Sequence, residues 1–441
     1  MARCKPTQNQ HIGGIMEQQA ILAIGIFLVT YGMIIAEKIH RTIIAMLGGV
    51  LMVVLGIVNQ EEALHHIDFN TLGLLIGMMI IVSITAETGL FKYIALLSAK
   101  KAKGDPVRIM VALVLITAVG SAFLDNVTTV LLMVPVTFSI TRQLRVNPVP
   151  YLITQILASN IGGTATLIGD PPNIMIGSAV KELTFMAFIY NLTPIVVVIM
   201  ACMLPLFVLL FRKQIQTTPE LRRGILELDE KEVITNKPLL LKSVSVLALT
   251  IVGFFLHQML HLESATVALT GAFILLLLTG EHAMENAFTK VEWTTIFFFV
   301  GLFVLVSGLV ETGVITRLAA HAIELTGGDP VATSMLILWL SAIASAFLDN
   351  IPFVATMIPM IQEMGNMGVD NLEPLWWSLA LGACLGGNGT LIGASANLIV
   401  AGLSGKEGHP IKFVTFMKYG FPLMILSVGL ASIYIYIRYF L

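Results

Sequence analysis

Charged residues are scarce in this chain of 441 residues. Asp, Glu, Lys and Arg together make up 12% of the sequence, whereas a typical soluble globular chain carries about 25%. Apolar residues make up 56%, and the mean hydropathy is +0.89. Several apolar runs approach the roughly 20 residues that a helix needs to cross a bilayer. The composition therefore excludes an ordinary soluble domain and predicts an all-α polytopic membrane protein with the lipid bilayer as its surroundings.

Cysteine is rare as well, and its three positions, Cys4, Cys202 and Cys384, suit neither a disulfide framework nor a zinc site. The net charge of −2 gives no basic surface, so we expect no nucleic-acid partner. Residues 1–19 lack the pattern of a cleaved signal peptide. The apolar segments contain no nucleophile–base pair and no metal motif. This argues against an intramembrane enzyme and predicts no cofactor other than bound Na⁺.

One polar phrase occurs twice in the sequence. Ser-Ala-Phe-Leu-Asp-Asn at 121–126 recurs letter for letter at 345–350, an offset of 224 (349 − 125). Apolar composition alone explains matches of Leu or Ile, but it does not explain shared Asp, Asn, Pro and Gly at one offset. The chain is therefore predicted to contain an internal duplication. Further pairs at this offset are Pro135 and Pro359, Thr166 and Thr390, Gly169 and Gly393, and Asn173 and Asn397.

The duplication and a long polar stretch divide the chain into four parts. We predict an N-terminal tail, a first transmembrane repeat, a linker and a second transmembrane repeat, at 1–19, 20–211, 212–242 and 243–441. Each repeat is predicted to hold about five transmembrane helices, one of them broken, and a re-entrant hairpin. The hairpins are placed at 106–140 and 330–360, and the broken helices at 150–178 and 374–402. The other spans are placed near 21–37, 42–58, 70–87, 193–211, 243–262, 265–280, 293–311 and 413–438.

Charge bias predicts the orientation of the repeats. Lys and Arg crowd residues 92–108, whereas the matching residues 316–330 contain only Arg317. By the positive-inside rule, this element faces the cytoplasm in the first repeat and the outside in the second. Inverted-topology repeats of this kind are typical of secondary transporters. The basic linker 212–242 is expected on the cytoplasmic side of the inner (plasma) membrane.

Each hairpin tip carries an acid and an amide, Asp125-Asn126 and Asp349-Asn350. A bare Asp at membrane depth costs about 2.5–3.5 kcal/mol on insertion scales. That cost is offset if the carboxylate binds Na⁺, takes a proton or caps the hairpin's second helix. We therefore predict ion binding at Asp125/Asn126, with Thr128 beside them, and at Asp349/Asn350. Capping alone is the structural alternative, and the two roles can coexist.

The second candidate constellation is a pair of helix breaks. Gly and Pro interrupt helices and free backbone N–H and C=O groups. Half-helix N-termini then favour anions, and unwound carbonyls favour cations. The alternative is that these residues only ease helix packing. The predicted ligands are Asn160, Gly162, Gly163, Thr164, Thr166, Asp170 and Asn173 in the first break, and Gly387, Asn388, Thr390, Ser395 and Asn397 in the second.

Three further residues carry weaker signals. Glu87 and Glu311 each precede Thr-Gly at the end of a span, where an acid opposes the helix dipole, so we expect each to have a local partner. Cys384 lies beside the second break. A thiol there suits a thiophilic oxyanion such as arsenite, but we interpret it as a small packing residue.

These motifs resemble those of the ion-transporter superfamily, in the branch of the melanosomal P protein and the arsenite permeases. The resemblance covers nearly the whole chain from about residue 20. It rests on Phe123-Leu-Asp-Asn-Val-Thr-Thr with the following Pro135, and on Asn160-Ile-Gly-Gly through Ile168-Gly-Asp-Pro-Pro-Asn173. It implies two inverted repeats, a homodimer and an elevator-type mechanism. It also implies one site lined by Asn126, Asn160, Gly162, Thr166 and Asn173, and another lined by Asn350, Asn388, Thr390 and Asn397.

The hairpin tips depart from one branch of that superfamily. In the sodium/dicarboxylate symporters the tip reads Ser-Asn-Thr, and here it reads Asp125-Asn126-Val127 and Asp349-Asn350-Ile351. The two extra acids favour a site that handles protons or cations. The sequence thus predicts a secondary transporter, coupled to H⁺ or Na⁺, for a small inorganic or organic anion. A sodium/proton antiporter, an arsenite efflux permease and a passive anion channel are the alternatives.

Overall fold

A computed structural model describes residues 8–36, 38–230 and 232–441 of the chain, and the side chains of these residues other than 8–16 and 282. Cys4 and Lys231 lie outside the described residues. Within the described part the regular structure is α-helical with a single 3₁₀ turn, and it contains no strand. Nine of the described helices are long and apolar enough to cross a membrane. The all-α membrane fold predicted from composition is confirmed.

Each predicted span contains a helix, but the helices for the spans at 21–37, 193–211 and 243–262 begin earlier than predicted, at Gln8, Phe185 and Lys237, and several shorter helices are added. In the first half they are α1 (Gln8–Ala36), α2 (Arg41–Val54), α3 (Gln60–His65), α4 (Phe69–Glu87), α5 (Leu90–Lys101), α6 (Pro106–Phe123), α7 (Asn126–Leu144), α8 (Val149–Gly163), α9 (Pro171–Ala179) and α10 (Phe185–Phe211).

One short helix, α11 (Pro219–Leu226), lies between the halves. The second half holds α12 (Lys237–Leu256), α13 (Ser264–Thr279), α14 (Glu281–Lys290), α15 (Trp293–Glu311), α16 (Val314–Thr326), α17 (Pro330–Phe347), α18 (Asn350–Asn366), α19 (Glu373–Gly386), α20 (Ser395–Lys406) and α21 (Phe413–Phe440).

Both predicted helix breaks are present. Residues 164–170 separate α8 from α9, and residues 387–394 separate α19 from α20. Pro171 begins α9 at a position where proline is tolerated, because the first N–H of a helix has no intrahelical partner. The second break contains the 3₁₀ turn Leu391–Gly393. At the breaks, backbone N–H and C=O groups in the middle of buried segments lack the partners that a continuous helix would give them.

Each hairpin turns within two residues. Leu124 and Asp125 join α6 to α7, and Leu348 and Asp349 join α17 to α18. The arms of the first hairpin have 18 and 19 residues. The helical hairpins are therefore present, and the depth of their tips in the bilayer stays a prediction.

The chain divides into two compact units. The first unit comprises residues up to 72, 292–333 and 355–372, and α2 packs along α15 in it. There the Thr42 hydroxyl donates to the Thr294 carbonyl oxygen over 2.7 Å, and the Arg41 guanidinium lies 4.9 Å from the buried Phe298 ring.

The second unit comprises residues 73–291, 334–354 and 373–441. It contains both hairpin tips and both breaks. The linker is fastened within this unit, because Arg222 pairs with Asp105 at 3.1 Å and Lys100 pairs with Glu230 at 2.5 Å. The second unit is therefore where the candidate site lies.

Contacts within the two units repeat at the sequence offset. Glu87 pairs with Lys290 in the second unit. In the first unit its counterpart Glu311 accepts a hydrogen bond over 2.9 Å from Nε2 of His66, which is the counterpart of Lys290. Both acids have the local partner that the sequence predicts. The duplication thus extends from sequence to contacts, whereas the opposite orientation of the repeats stays a prediction.

Each hairpin presses against a glycine of the adjacent helix. A Cβ at Gly162 would lie 2.1 Å from the Ala118 carbonyl oxygen, and a Cβ at Gly386 would lie 2.5 Å from the Ala342 carbonyl oxygen. Distances this short leave no room for a methyl group. Only glycine allows the backbones of α6 and α8, and of α17 and α19, to approach so closely.

We therefore expect Gly162→Ala to lower the free energy of unfolding by about 1–3 kcal/mol, the usual cost of overpacking. Gly402→Ala is the matched control, because a Cβ there meets nothing within 4 Å and alanine is the better helix former. Thermal unfolding of the purified variants in detergent measures both effects. Equal melting temperatures for the two variants would contradict the close packing.

Candidate ion and substrate site

The first hairpin tip is organised by Asp125. Its carboxylate caps α7, because Oδ1 accepts a hydrogen bond from the Thr128 N–H over 2.9 Å and Oδ2 accepts one from the Thr128 hydroxyl. The side chain is buried. A negative charge at a helix N-terminus is favoured by the helix dipole. The capping role is therefore present, and these bonds leave lone pairs on both oxygens for a cation.

The second tip is held differently. Asp349 Oδ1 accepts a hydrogen bond from the Ile351 N–H over 3.1 Å, and Oδ2 accepts one from the Ser395 hydroxyl over 2.9 Å. Ser395 begins α20, so the second tip is bonded directly to the second break. Its counterpart in the first half is Pro171, which has no donor to offer. The two tips therefore share an acid and differ in how it is fixed.

Each break is held by one buried asparagine. Asn173 Nδ2 donates to the Thr164 and Thr166 carbonyl oxygens over 3.2 and 2.9 Å. Asn397 Nδ2 donates to the Gly387 and Thr390 carbonyl oxygens over 2.7 and 2.9 Å. These bonds satisfy carbonyls that the broken helices release. The same two asparagines thus maintain the unwound backbone.

The tips are tied to the breaks by threonines. The Thr166 hydroxyl donates to the Ala122 carbonyl oxygen, and the Thr390 hydroxyl donates to the Ala346 carbonyl oxygen over 2.5 Å. Both acceptors lie near the end of the hairpin's first helix. In each half, hairpin and break are therefore one hydrogen-bonded assembly.

A chain of carboxamides connects the two halves inside the second unit. Asn160 Nδ2 donates to Asn388 Oδ1 over 2.9 Å and to Asn397 Oδ1 over 3.0 Å. Asn126 Nδ2 in turn donates to Asn160 Oδ1 over 3.3 Å. Asn126 from the first of the two sites that the resemblance implies, and Asn388 and Asn397 from the second, are thereby joined through Asn160 in one buried network.

Cys384 occupies the position of Asn160 in the second half. Its thiol donates to Asn173 Oδ1 over 3.5 Å, which repeats the contact of Asn160 with Asn397 in the other direction. The residue is fully buried. Its role in packing and weak hydrogen bonding agrees with the interpretation from sequence.

Asp170 is the third acid of the site. The side chain is fully buried, its Oδ1 accepts from Asn350 Nδ2 over 3.3 Å, and its Oδ2 has no partner among the described residues. It interacts electrostatically with both Asp349 and Asp125. The second half has Ala394 at this position, so this acid is not duplicated. An unpartnered buried carboxylate oxygen is costly, and a cation or a proton at this oxygen would offset that cost.

The remaining predicted residues serve the backbone. Thr164 donates its hydroxyl to the Asn160 carbonyl oxygen over 2.7 Å, within its own helix end. Gly163 and Gly387 face the carbonyl oxygens of Gly169 and Gly393, the last glycine of each break. Their part in ligand binding stays a prediction.

Two hydroxyls of this site are not among the residues predicted from sequence. Ser121 Oγ and Thr129 Oγ1 are buried without a partner among the described residues. Both lie on the first hairpin, beside the predicted Asp125 and Asn126. Ser121 belongs to the duplicated phrase, and this was the signal that could have identified it.

Basic side chains are missing from the segments that form the site. No Lys or Arg occurs from 109 to 141, from 149 to 180 or from 330 to 405. Three carboxylates are thus brought together by elements that supply no cation of their own. Buried like charges that interact electrostatically are stabilised when a cation or a proton is present. The arrangement is suited to hold cations at carboxylate and carbonyl oxygens, beside carboxamides that can donate to an anion.

An all-helical chain with nine candidate membrane spans in its described part, and with a buried polar site made of paired hairpins and helix breaks, has the architecture of a membrane transporter. The citrate transporter family CitMHS matches residues 31–382. The chain belongs to this family and is a multi-pass membrane transporter.

Relatives match nearly the whole length of the chain. It is 42% identical to the transporter Rv2684 of Mycobacterium tuberculosis over 427 residues, which cover 96% of this chain and 99% of the relative. It is 34% identical to the human P protein over 513 residues, which cover 98% of this chain and 61% of the P protein. The crystal structure of the YdaH transporter of Alcanivorax borkumensis has a similar fold. The two folds match with a TM-score of 0.59 at 12% sequence identity, and the match covers 95% of this chain and 98% of the YdaH chain.

The cap and the charge of Asp125 can be separated by substitution. We expect Asp125→Ala to lower the free energy of unfolding by about 1 kcal/mol, the typical cost of removing an N-cap. Asp125→Asn should leave it nearly unchanged, because asparagine caps helices as well as aspartate does. Melting temperatures of the purified proteins compare the two. If both variants lose the same stability, the charge rather than the cap holds the tip.

Proposed function

We propose that this chain is a secondary active transporter that moves a small inorganic or organic anion, coupled to H⁺ or Na⁺. The observation that carries the proposal is the electrostatic interaction of the buried Asp170 with two further buried acids, Asp125 and Asp349. Their elements contribute no Lys or Arg to balance them. An anion that enters such a site is repelled unless a cation enters with it. Coupling of the two is therefore a consequence of the charge of the site.

Donors for the anion come from neutral groups. The helices α7, α9, α18 and α20 all begin at the tips or breaks, so their N-terminal N–H groups and dipoles point toward the site. The carboxamides of Asn126, Asn160 and Asn388 add further N–H donors. In the described structure these amides donate to one another and to backbone oxygens. An anion would bind by replacing some of these internal acceptors.

Citrate is the first substrate to test, because the matching family is described as citrate transporters. Its carboxylates are acceptors for the amide donors, and its charge requires the cation that the aspartates bind.

We further propose that the hairpins and breaks move together as one body, in elevator-type alternating access within a homodimer. The hydrogen bonds of Thr166 to Ala122 and of Thr390 to Ala346 support this, because they bind each hairpin to its break.

Sodium/proton antiport is a second candidate, favoured by one observation. Asp170 Oδ2 has no partner in the described structure, so it could exchange a proton for Na⁺ without any anion. Addition of Na⁺ alone to vesicles containing the protein distinguishes the two functions. Antiport changes the internal pH, whereas coupled anion transport leaves it unchanged until the anion is added.

A thermal-stability screen tests the main proposal. We expect citrate or another small anion to raise the melting temperature of the purified protein, and to do so more strongly with Na⁺ or at the lower of two pH values. A ligand at 100 times its Kd stabilises the native state by about 2.7 kcal/mol. The cation dependence distinguishes a coupled site from a general salt effect.

Two controls sharpen this screen. Asp349→Asn should weaken the effect of the cation, since it removes one of the three acids. Asp329→Asn should not, since Asp329 is an exposed residue whose carboxylate accepts from the Ala332 N–H over 2.7 Å at the start of α17. Absence of a shift with every anion, under every cation and pH condition, would count against coupled anion transport.

A further inference from the structure

An apolar groove opens on the surface of the second unit beside the first hairpin and the first break. Its volume is about 440 Å³, which is within the range of about 300–1,000 Å³ usual for ligand sites. One wall is α6, another is the break around Ala165 and Thr166, and the third is α10. Leu115, Val119 and Val197 in its lining are exposed. The groove is therefore open at the surface of the chain's apolar spans.

The residues that line the groove offer an occupant no hydroxyl that is not already bonded and no ionisable group. The lining contains no ionisable side chain, and its two hydroxyls are already used within the protein. Thr166 donates to the Ala122 carbonyl oxygen, and Thr193 donates to the Ala165 carbonyl oxygen over 2.9 Å. An occupant that matches this lining carries neither charge nor hydrogen-bonding groups along its buried length.

The second repeat has contacts between side chains at the equivalent positions. Residues of the hairpin and break correspond at the offset of 224, and α10 corresponds to α21 at 228, as Pro194 and Pro422 show (422 − 194). In the second repeat Trp339 Nε1 donates to the Ser432 hydroxyl over 3.0 Å, and the Phe347 and Phe421 rings lie 6.1 Å apart. A Cβ at Gly389 would lie 3.2 Å from Met424 Cε.

Each of those contacts maps onto a pair of groove residues. Trp339 and Ser432 correspond to Leu115 and Leu204, and Phe421 corresponds to Thr193. Met424 corresponds to Val196. At these positions the first repeat has smaller side chains, or side chains that cannot form a hydrogen bond with each other. In the second repeat an indole, a phenyl ring and a thioether make the contacts. Apolar side chains that line an open groove lack contact atoms on one side, which favours an apolar occupant from outside the chain.

We propose that this groove binds an acyl chain of a bilayer phospholipid. The occupant is apolar because the lining is, and phospholipid is the apolar material that faces membrane-spanning helices such as α6 and α10. The acyl chain lies against the junction of the first hairpin and the first break, next to the hydrogen bond between Thr166 and Ala122. The second repeat needs no such lipid, because Trp339, Phe421 and Met424 take its place.

Photolabelling tests the proposal without knowledge of the substrate. The full chain is reconstituted in vesicles of phosphatidylethanolamine and phosphatidylglycerol that contain a phosphatidylethanolamine with a diazirine on its acyl chain. After irradiation, mass spectrometry maps the labelled peptides. We expect label at 115–123 and 193–204 to exceed label at 339–347 and 421–432 several-fold. Equal labelling of the two repeats would show only the general layer of surrounding lipid and would overturn the proposal.

A variant that copies the second repeat adds a second test. Leu115→Trp combined with Leu204→Ser reproduces the Trp339–Ser432 pair and should reduce label in the first repeat several-fold. Leu209→Ser is the control, because Leu209 is exposed on α10 outside the lining, and it should leave the groove label unchanged. Unchanged label in the double variant overturns the proposal. If the double variant does not fold, the comparison of the two repeats in the wild-type chain decides alone.

Discussion

The structure depends on one constraint: polar groups taken into an apolar interior must find partners there. Two helix breaks release backbone carbonyls, and two hairpin tips bring carboxylates to the same region. Asn173 and Asn397 bind the released carbonyls, and Asp125 and Asp349 bind the first N–H groups of the helices that follow the tips. An unpaired buried group costs about 1–3 kcal/mol. These few side chains therefore make the breaks and tips stable features rather than local disorder.

The duplication is preserved where it holds the backbone and differs at other buried positions of the candidate site. The asparagines that hold the breaks and the threonines that tie the tips match at the offset of 224. Asp170 and Asn160 do not, since the second half has Ala394 and Cys384. An exact duplicate of the first half would place a fourth acid at the site. The observed asymmetry instead places an acid in the first break and leaves the second break with neutral side chains at the matching positions.

The sequence predicted the spans, the breaks and the hairpins because each has a local cause. Apolar length marks the spans, Gly and Pro mark the breaks, and the polar phrase marks the tips. Short helices such as α5, α14 and α16 were not predicted, since they are too short or too polar to resemble a span. The partners of Asn160 could not be predicted either, because Asn388 and Asn397 are more than 200 residues away. The two compact units each combine segments from both halves, an arrangement that depends on packing and not on any linear signal.

The central claim is that the duplicated elements form one connected site. A double-mutant cycle between Asn160 and Asn397 tests it most directly, with Asn160→Ala, Asn397→Ala and the double variant compared by their free energies of unfolding. Residues in one hydrogen-bond network show interaction energies of about 0.5–3 kcal/mol, whereas independent sites add within about 0.3–0.5 kcal/mol. We predict a clear interaction energy, with the double variant less destabilised than the sum of the single variants. Strict additivity would contradict the account, because it would mean that the two halves do not meet at these side chains.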